Sequence, residues 1–120
     1  MAIDFDGANS KLEHTTASGF DVATMTICGW ALADSTGESG AGIILNVPEN
    51  AALGMPGLFH TATASVLRFV YEFSVANGVW QFEATDGQWN AVAISYDRTS
   101  VLNNPAVRVN FASATVSLIT

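Results

Sequence analysis

The amino-acid sequence predicts an all-β protein that forms one domain over residues 1–120, with about ten strands in a sandwich or barrel. Short runs of β-branched and aromatic residues alternate with polar ones, and turn pairs such as Asp-Gly separate them. No segment combines helical periodicity with the length of a convincing helix. A chain of 120 residues also matches the usual size of a single domain.

The first half of the chain contains four predicted strands, at residues 3–5, 12–15, 24–32 and 43–47. The third is the longest, and its strict alternation predicts a half-buried or fully buried strand. Residues 34–42 form a polar loop. Residues 48–57 contain two of the three prolines and predict an irregular connection, with one helical turn at residues 49–53.

In the second half, residues 66–73 fit either a helical face or a strand, and their aromatic and β-branched content favours the strand. Asn77-Gly78 predicts the turn of a hairpin that joins residues 66–75 to residues 79–84. Asp86-Gly87 predicts a second turn before the strand at residues 89–96. The last predicted strands cover residues 106–111 and 114–119.

The charge balance excludes several kinds of partner. Eleven acidic residues against four Lys and Arg give a formal net charge of −7. Proteins bind nucleic acids and anionic membrane surfaces largely through Lys and Arg, so we predict neither partner. No apolar run approaches the roughly 18 residues of a membrane span, so no membrane insertion is expected. Asp4 and Asp6 stand where a signal peptide has basic residues, so none is predicted.

Four segments carry a family pattern in chain order: residues 2–13 (AIDFDGANSKLE), 25–31 (MTICGWA), 86–97 (DGQWNAVAISYD) and 107–110 (VRVN). Together they resemble the laminin-G-like jelly roll of the concanavalin-A-like lectin and glucanase superfamily. The resemblance implies an antiparallel jelly-roll β-sandwich in which Trp30 and Trp89 are core residues. Asn90 and Ala91 stand where the family has paired histidines, and Phe111 where it has glycine.

The resemblance also implies closing strands that this chain lacks, because the family pattern continues through two further strands and this sequence ends at Thr120. We therefore expect a truncated sandwich that another chain completes by domain swapping, strand addition or subunit packing. The predicted partner is a second copy or another subunit of an assembly. The alternative is a shorter jelly roll that its own loops cap.

The candidate catalytic residues do not form a recognisable set, and we predict that the protein is not an enzyme. Glycoside hydrolysis needs two carboxyl groups at a defined separation, and the glucanase strand carries three acids. Here Glu83 and Asp86 have no third acid, and Asp4 and Asp6 belong to the opening strand and turn. The histidines, His14 and His60, stand alone. Cys28 lies in an apolar run and is expected to be a small buried residue.

Two kinds of binding site stay open. Calcium is the cofactor that the loop acids allow, since it prefers oxygen ligands, and the candidates are Asp34, Glu38, Asp86 and Asp97. Solvated surface acids are the alternative. A glycan would stack on exposed aromatic faces, and the candidates are Trp80 and Tyr71. Since Trp80 alternates in phase with Phe82, a core position for Trp80 is the favoured interpretation.

The leading functional hypothesis is a non-catalytic structural or interaction module, a subunit of a larger assembly such as a virion surface or a capsid decoration. The architecture suggests it, because a small β domain without closing strands needs neighbours. The competing hypothesis is a lectin-like carbohydrate-binding module, calcium-dependent or not, or a fragment of a longer adhesin. A virion or an extracellular surface is the hypothesised location.

Overall fold

The computed structural model describes residues 23–32, 43–46, 56–61, 63, 65–72, 77–100 and 102–119, and these fold into two antiparallel β-sheets. The described strands are β1 (Thr24–Leu32), β2 (Ile43–Asn46), β3 (Pro56–His60), β4 (Val66–Glu72), β5 (Asn77–Glu83), β6 (Trp89–Asp97), β7 (Ala106–Val109), β8 (Ala112–Ser113) and β9 (Ser117–Leu118). The predicted all-β class is confirmed. The predicted strands at residues 3–5 and 12–15 and the helical turn at residues 49–53 lie outside the described residues.

Sheet A has the strand order β1-β6-β7-β8. Its longest strands pair over their whole length, from Thr24 opposite Asp97 to Leu32 opposite Trp89. The predicted strand at Thr24–Leu32 is confirmed at both ends. Because side chains alternate along each strand, this register assigns every residue of β1 and β6 to one of the two faces of the sheet.

Sheet B has the strand order β2-β3-β4-β5-β9. Its central hairpin joins β4 and β5 in an unbroken register, with Phe69 opposite Trp80. The last strand pairs with β5 at only two positions, where Leu118 lies opposite Trp80. Since β8 belongs to sheet A and β9 to sheet B, the last described residues connect the two sheets.

The core lies between the sheets and is dominated by aromatic rings. Phe69, Tyr71 and Trp80 of sheet B and Tyr96 of sheet A are each at most 2% exposed, and we call these four residues the aromatic core. The Tyr96 ring centroid lies 5.0 Å from that of Trp80, 5.3 Å from that of Tyr71 and 5.6 Å from that of Phe69. Centroids 4.5–7 Å apart are typical of favourable aromatic pairs. Tyr96 therefore joins sheet A to three rings of sheet B.

Asn77-Gly78 is not the hairpin turn that the sequence predicts. Both residues lie within β5, where Asn77 pairs with Glu72 and Gly78 with Tyr71. Gly78 is buried, and a Cβ atom at this position would overlap ring atoms of Trp80. The glycine is therefore explained by the close approach of an aromatic ring to the backbone rather than by a turn conformation.

Three other predicted boundaries change. A strand, β3, begins at Pro56 inside the predicted irregular connection, and the first position of a strand tolerates proline. The predicted strand at residues 106–111 ends at Val109, because Asn110 and Phe111 form a turn. The predicted strand at residues 114–119 shortens to Ser117–Leu118. By contrast, the Asp86-Gly87 turn is confirmed, with Gly87 at a φ of 65°.

Candidate functional site

Exposed aromatic side chains gather at one end of sheet A. Trp30 is 64% exposed and Trp89 is 63% exposed, and they lie on the same face of adjacent strands. Trp89 pairs with Leu32, and Trp30 pairs with Ala91, so the two tryptophans are diagonal neighbours within reach of each other. Phe111, in the turn after β7, is 79% exposed at the same end. We call Trp30, Leu32, Trp89 and Phe111 the aromatic patch.

The exposure of Trp30 and Trp89 overturns their expected place in the core. In β6 the buried positions are Asn90, Val92, Ile94 and Tyr96, which leaves Trp89 on the opposite face. In β1 the buried position is Ala31, which leaves Trp30 outside. The sequence of β6 already shows this alternation, because Val92, Ile94 and Tyr96 are spaced two residues apart. The same spacing predicts that Trp89 lies on the outer face. The family resemblance predicted the reverse, and the two-residue period of the strand decides the outcome.

Asn90 is the buried polar residue that organises this end of the sheet, with 2% of its surface exposed. Its side-chain amide donates to the carbonyl oxygens of Thr85, at 2.7 Å, and Gln88, at 2.9 Å. Its Oδ1 accepts from the Thr85 backbone N–H at 3.0 Å and from Asn110 Nδ2 at 3.1 Å. All four hydrogen-bonding positions of the amide are therefore used. Asn90 therefore holds the β5–β6 loop and the β7–β8 turn next to the start of β6, where the aromatic patch lies.

The β7–β8 turn places Phe111 in a conformation that bulky residues rarely adopt. Asn110 has a φ of 50° and Phe111 a φ of 69°, both in the left-handed region. Asn110 holds the turn in place, because its backbone N–H donates to the Ala91 carbonyl at 2.8 Å and its Oδ1 accepts from the Ala91 N–H at 2.9 Å. An exposed aromatic side chain is thus kept at a strained position by hydrogen bonds from its neighbour.

The interior near Asn90 has a small cavity of about 10 Å³, lined by Ala31, Leu67 and Asp86 among others. A volume of this size holds roughly one water molecule. It is too small for a sugar or any other organic ligand.

The two residues predicted to stack on a glycan, Trp80 and Tyr71, are both buried, and this corrects the expectation of an exposed platform. Trp80 is 0% exposed and its indole N–H donates to Asn104 Oδ1 at 3.2 Å. The hydroxyl of Tyr71, which is 1% exposed, accepts from Arg98 Nη1 at 3.0 Å. The phase of Trp80 with Phe82 is confirmed, since both face the core.

The predicted calcium ligands do not come together among the described residues. Asp86 precedes β6 and Asp97 ends it, so the length of the strand, about 30 Å, separates them. Asp97 Oδ1 accepts from the hydroxyl and the N–H of Thr99, and these bonds lower the pKa of its carboxyl group. No group of three potential metal ligands occurs in the described part of the chain. Asp34 and Glu38 lie outside the described residues.

Cys28 is exposed, contrary to the expectation of a small buried residue. It lies on the same outer face as Trp30, since two positions separate them on β1. The acids Glu83 and Asp86 are also exposed. Asp4, Asp6 and His14 lie outside the described residues. His60 belongs to β3.

No protein-family model matches the chain, and no curated protein or solved structure matches it significantly. The laminin-G-like resemblance therefore stays a prediction that rests on four sequence motifs. Among the described residues, no helix has the length and apolar character needed to cross a membrane.

Proposed function

We propose that this protein is a non-catalytic interaction module, a subunit of a larger assembly that binds its neighbours through the aromatic patch. The observation that carries the proposal is the exposure of Trp30 and Trp89, at 64% and 63%, on one sheet face. Tryptophan is the residue most enriched among those that dominate binding energy at protein interfaces. Clustered exposed apolar side chains mark interaction surfaces more often than scattered ones do.

The construction around the patch supports the same function. The side-chain amide of Asn90 is buried and makes all of its hydrogen bonds to the two loops beside the patch. Such networks hold surface elements in one arrangement. The left-handed conformation of Phe111 is disfavoured for a bulky residue, and strained positions concentrate at functional sites. A rigid aromatic surface loses little conformational entropy on binding, which favours association. An assembly on a virion or extracellular surface is the setting that we propose.

The test compares the native mass of the protein with the mass of its chain. In an extract of the cells or particles that contain the protein, gel filtration with antibody detection should find it well above its chain mass of 12.6 kDa. A Trp30→Ser/Trp89→Ser variant should shift toward the monomer. Leu102→Ser is the matched control, because Leu102 is 81% exposed in the loop after β6, away from the patch. Elution of the unaltered protein as a monomer would overturn the proposal.

A second candidate function is glycan binding, which the exposed tryptophan faces favour because sugars stack on aromatic rings. A glycan array should then show binding that Trp30→Ser/Trp89→Ser abolishes and Leu102→Ser retains. An EDTA arm shows whether calcium takes part. A blank array for the unaltered protein would reject this candidate and leave the interaction module unaffected.

A further inference from the structure

We infer that the partner which covers the aromatic patch is a second copy of this chain, packed face to face on the outer side of sheet A. The inference rests on the proposed function and names its partner. The outer face comprises alternate residues of the three longest strands of the sheet: Thr24, Thr26, Cys28, Trp30, Leu32, Trp89, Ala91, Ala93, Ser95, Asp97, Ala106 and Arg108. Three properties of this face support a self-complementary contact.

The first property is charge. The chain has a formal net charge of −7, so two copies repel each other over most approaches. The outer face contains one acid, Asp97, at its end and one cation, Arg108, on β7 in the same row as Ala93. Their charges cancel, so this face is neutral in a strongly acidic protein. Two copies that meet on this face bring fewer like charges close together than they would on the rest of the surface.

The second property is shape. Bulky side chains occupy one end of the face, where Leu32 pairs with Trp89 and Trp30 lies beside them. Toward the opposite end the side chains above the sheet are small at Thr26 and Ser95, which pair with each other, and Asp97 lies beyond them. A two-fold axis across the strands, midway between the rows of Cys28 and Trp30, places the bulky pair of each copy on the Thr26–Ser95 pair of the other. In this register Arg108, which lies in the row of Cys28, does not face Arg108 of the second copy. Such an isologous contact uses the same residues twice.

The third property is the state of the hydroxyl groups at the small end. Thr26 Oγ1 and Ser95 Oγ share a hydrogen bond of 3.0 Å across the strands. Covering a polar group is costly mainly when it loses hydrogen bonds to water without replacement. Because these hydroxyls already pair with each other, an indole ring of the second copy can cover them at little cost.

The size of the face limits the strength of the contact. Strands of nine residues and three strands across give a face of about 30 Å by 14 Å. The corresponding area, roughly 400 Å², is below the roughly 800 Å² that each partner contributes to a stable complex of standard size. The isolated dimer is therefore expected to be weak, with a dissociation constant in the micromolar range or above. Repetition of the contact in an assembly would strengthen it.

The experiment measures self-association of the purified chain by sedimentation velocity from roughly 10 µM to 1 mM, the range expected for so small an interface. Cys28 is the only cysteine and lies at the centre of the face, so its rate of reaction with a thiol reagent reports whether the face is covered. We expect a monomer–dimer equilibrium, and labelling of Cys28 that slows several-fold as the dimer forms.

Two variants test the two ends separately. Trp30→Ser removes a bulky group and Ser95→Lys obstructs the small end, and each should raise the dissociation constant of the dimer at least about tenfold. Leu102→Ser should leave it unchanged, and unchanged thermal unfolding shows that each variant is folded. A dimer that tolerates Ser95→Lys, or a chain that stays monomeric at every concentration, would overturn the inference. A monomeric purified chain that elutes at high mass in the extract overturns only the second copy as partner, whereas a monomer in both overturns the proposed function too.

Discussion

Two groups of aromatic residues in this protein have opposite environments. Trp80 in the aromatic core is fully buried, whereas Trp30 in the aromatic patch is 64% exposed. Both tryptophans lie in long antiparallel strands with apolar neighbours. The difference is the face on which each lies, since Trp80 faces the opposite sheet and Trp30 faces away from it. Burial of the first group therefore stabilises the fold, whereas the second group remains in contact with solvent.

The two aromatic groups contribute to the free energy of the protein in different ways. Burial of an apolar side chain is favourable by roughly 25 cal/mol for each Å² removed from water. The aromatic core gains this on folding, through rings 5.0–5.8 Å apart. The exposed area of the aromatic patch gains it only when a second body covers it. Substitutions in the two groups should therefore affect different equilibria, namely unfolding in the core and association in the patch.

The largest expected effect on stability comes from Trp80. Trp80→Ala should lower the free energy of unfolding by about 3–5 kcal/mol, because it empties the centre of the core. Trp30→Ala should change it by no more than about 0.5 kcal/mol. Urea denaturation measures both. If Trp80→Ala leaves no folded protein, Trp80→Phe replaces it, with a smaller loss. Equal losses for Trp80 and Trp30 would refute the division into core and patch.

A smaller effect is expected at Gly78, against which the Trp80 ring packs. Gly78→Ala should destabilise the fold by about 1–3 kcal/mol, because the added methyl group overlaps the ring. The matched control is Gly29→Ala in β1, where a Cβ atom meets nothing within 4 Å. That change should be neutral or stabilise by up to about 1 kcal/mol, by restricting the unfolded chain. Equal results at both glycines would show that the ring moves aside at no cost.

The strain at Phe111 predicts a gain in stability. Phe111→Gly should stabilise the fold by at most about 1 kcal/mol, since glycine adopts a positive φ without penalty but loses more entropy on folding. It should also weaken association by removing part of the aromatic patch. Asn110→Gly is the control, because it relieves a similar conformation but loses the hydrogen bonds to Ala91 and Asn90. Thermal unfolding should show the gain only for Phe111→Gly.

The stability of the core should depend on pH only under alkaline conditions. Burial, then the neighbouring Tyr71 and Asp97, raise the pKa of Tyr96 to about 12 from its usual value near 10. In the unfolded chain the phenol deprotonates first, so stability should be constant below about pH 10 and fall between about pH 10 and 12. Urea denaturation at each pH measures this fall. Tyr96→Phe should reduce it, and an equal fall in that variant would contradict the assignment to Tyr96.

Much of the architecture was predictable from local patterns. The strand Thr24–Leu32 was predicted to the residue, and the phase of Trp80 with Phe82 correctly indicated the inner face of β5. The Asp86-Gly87 turn was also predictable, because its conformation suits glycine. By contrast, the hairpin turn predicted at Asn77-Gly78 was wrong, because glycine occurs both in turns and where an aromatic ring packs closely against the backbone. The aromatic patch was missed because the resemblance, and not the alternation of β6, assigned Trp30 and Trp89 to the core.

The sequence by itself determined the class of the fold, the positions of the main strands and which side chains share a face. These depend on backbone geometry that repeats every two residues and needs no distant partner. The tertiary structure alone decided which face of β1 is covered. Sheet B packs on the side of Ala31 and Val92, and that leaves Trp30 and Trp89 outside. A strand defines two faces locally, but burial is decided by the sheet that packs against it.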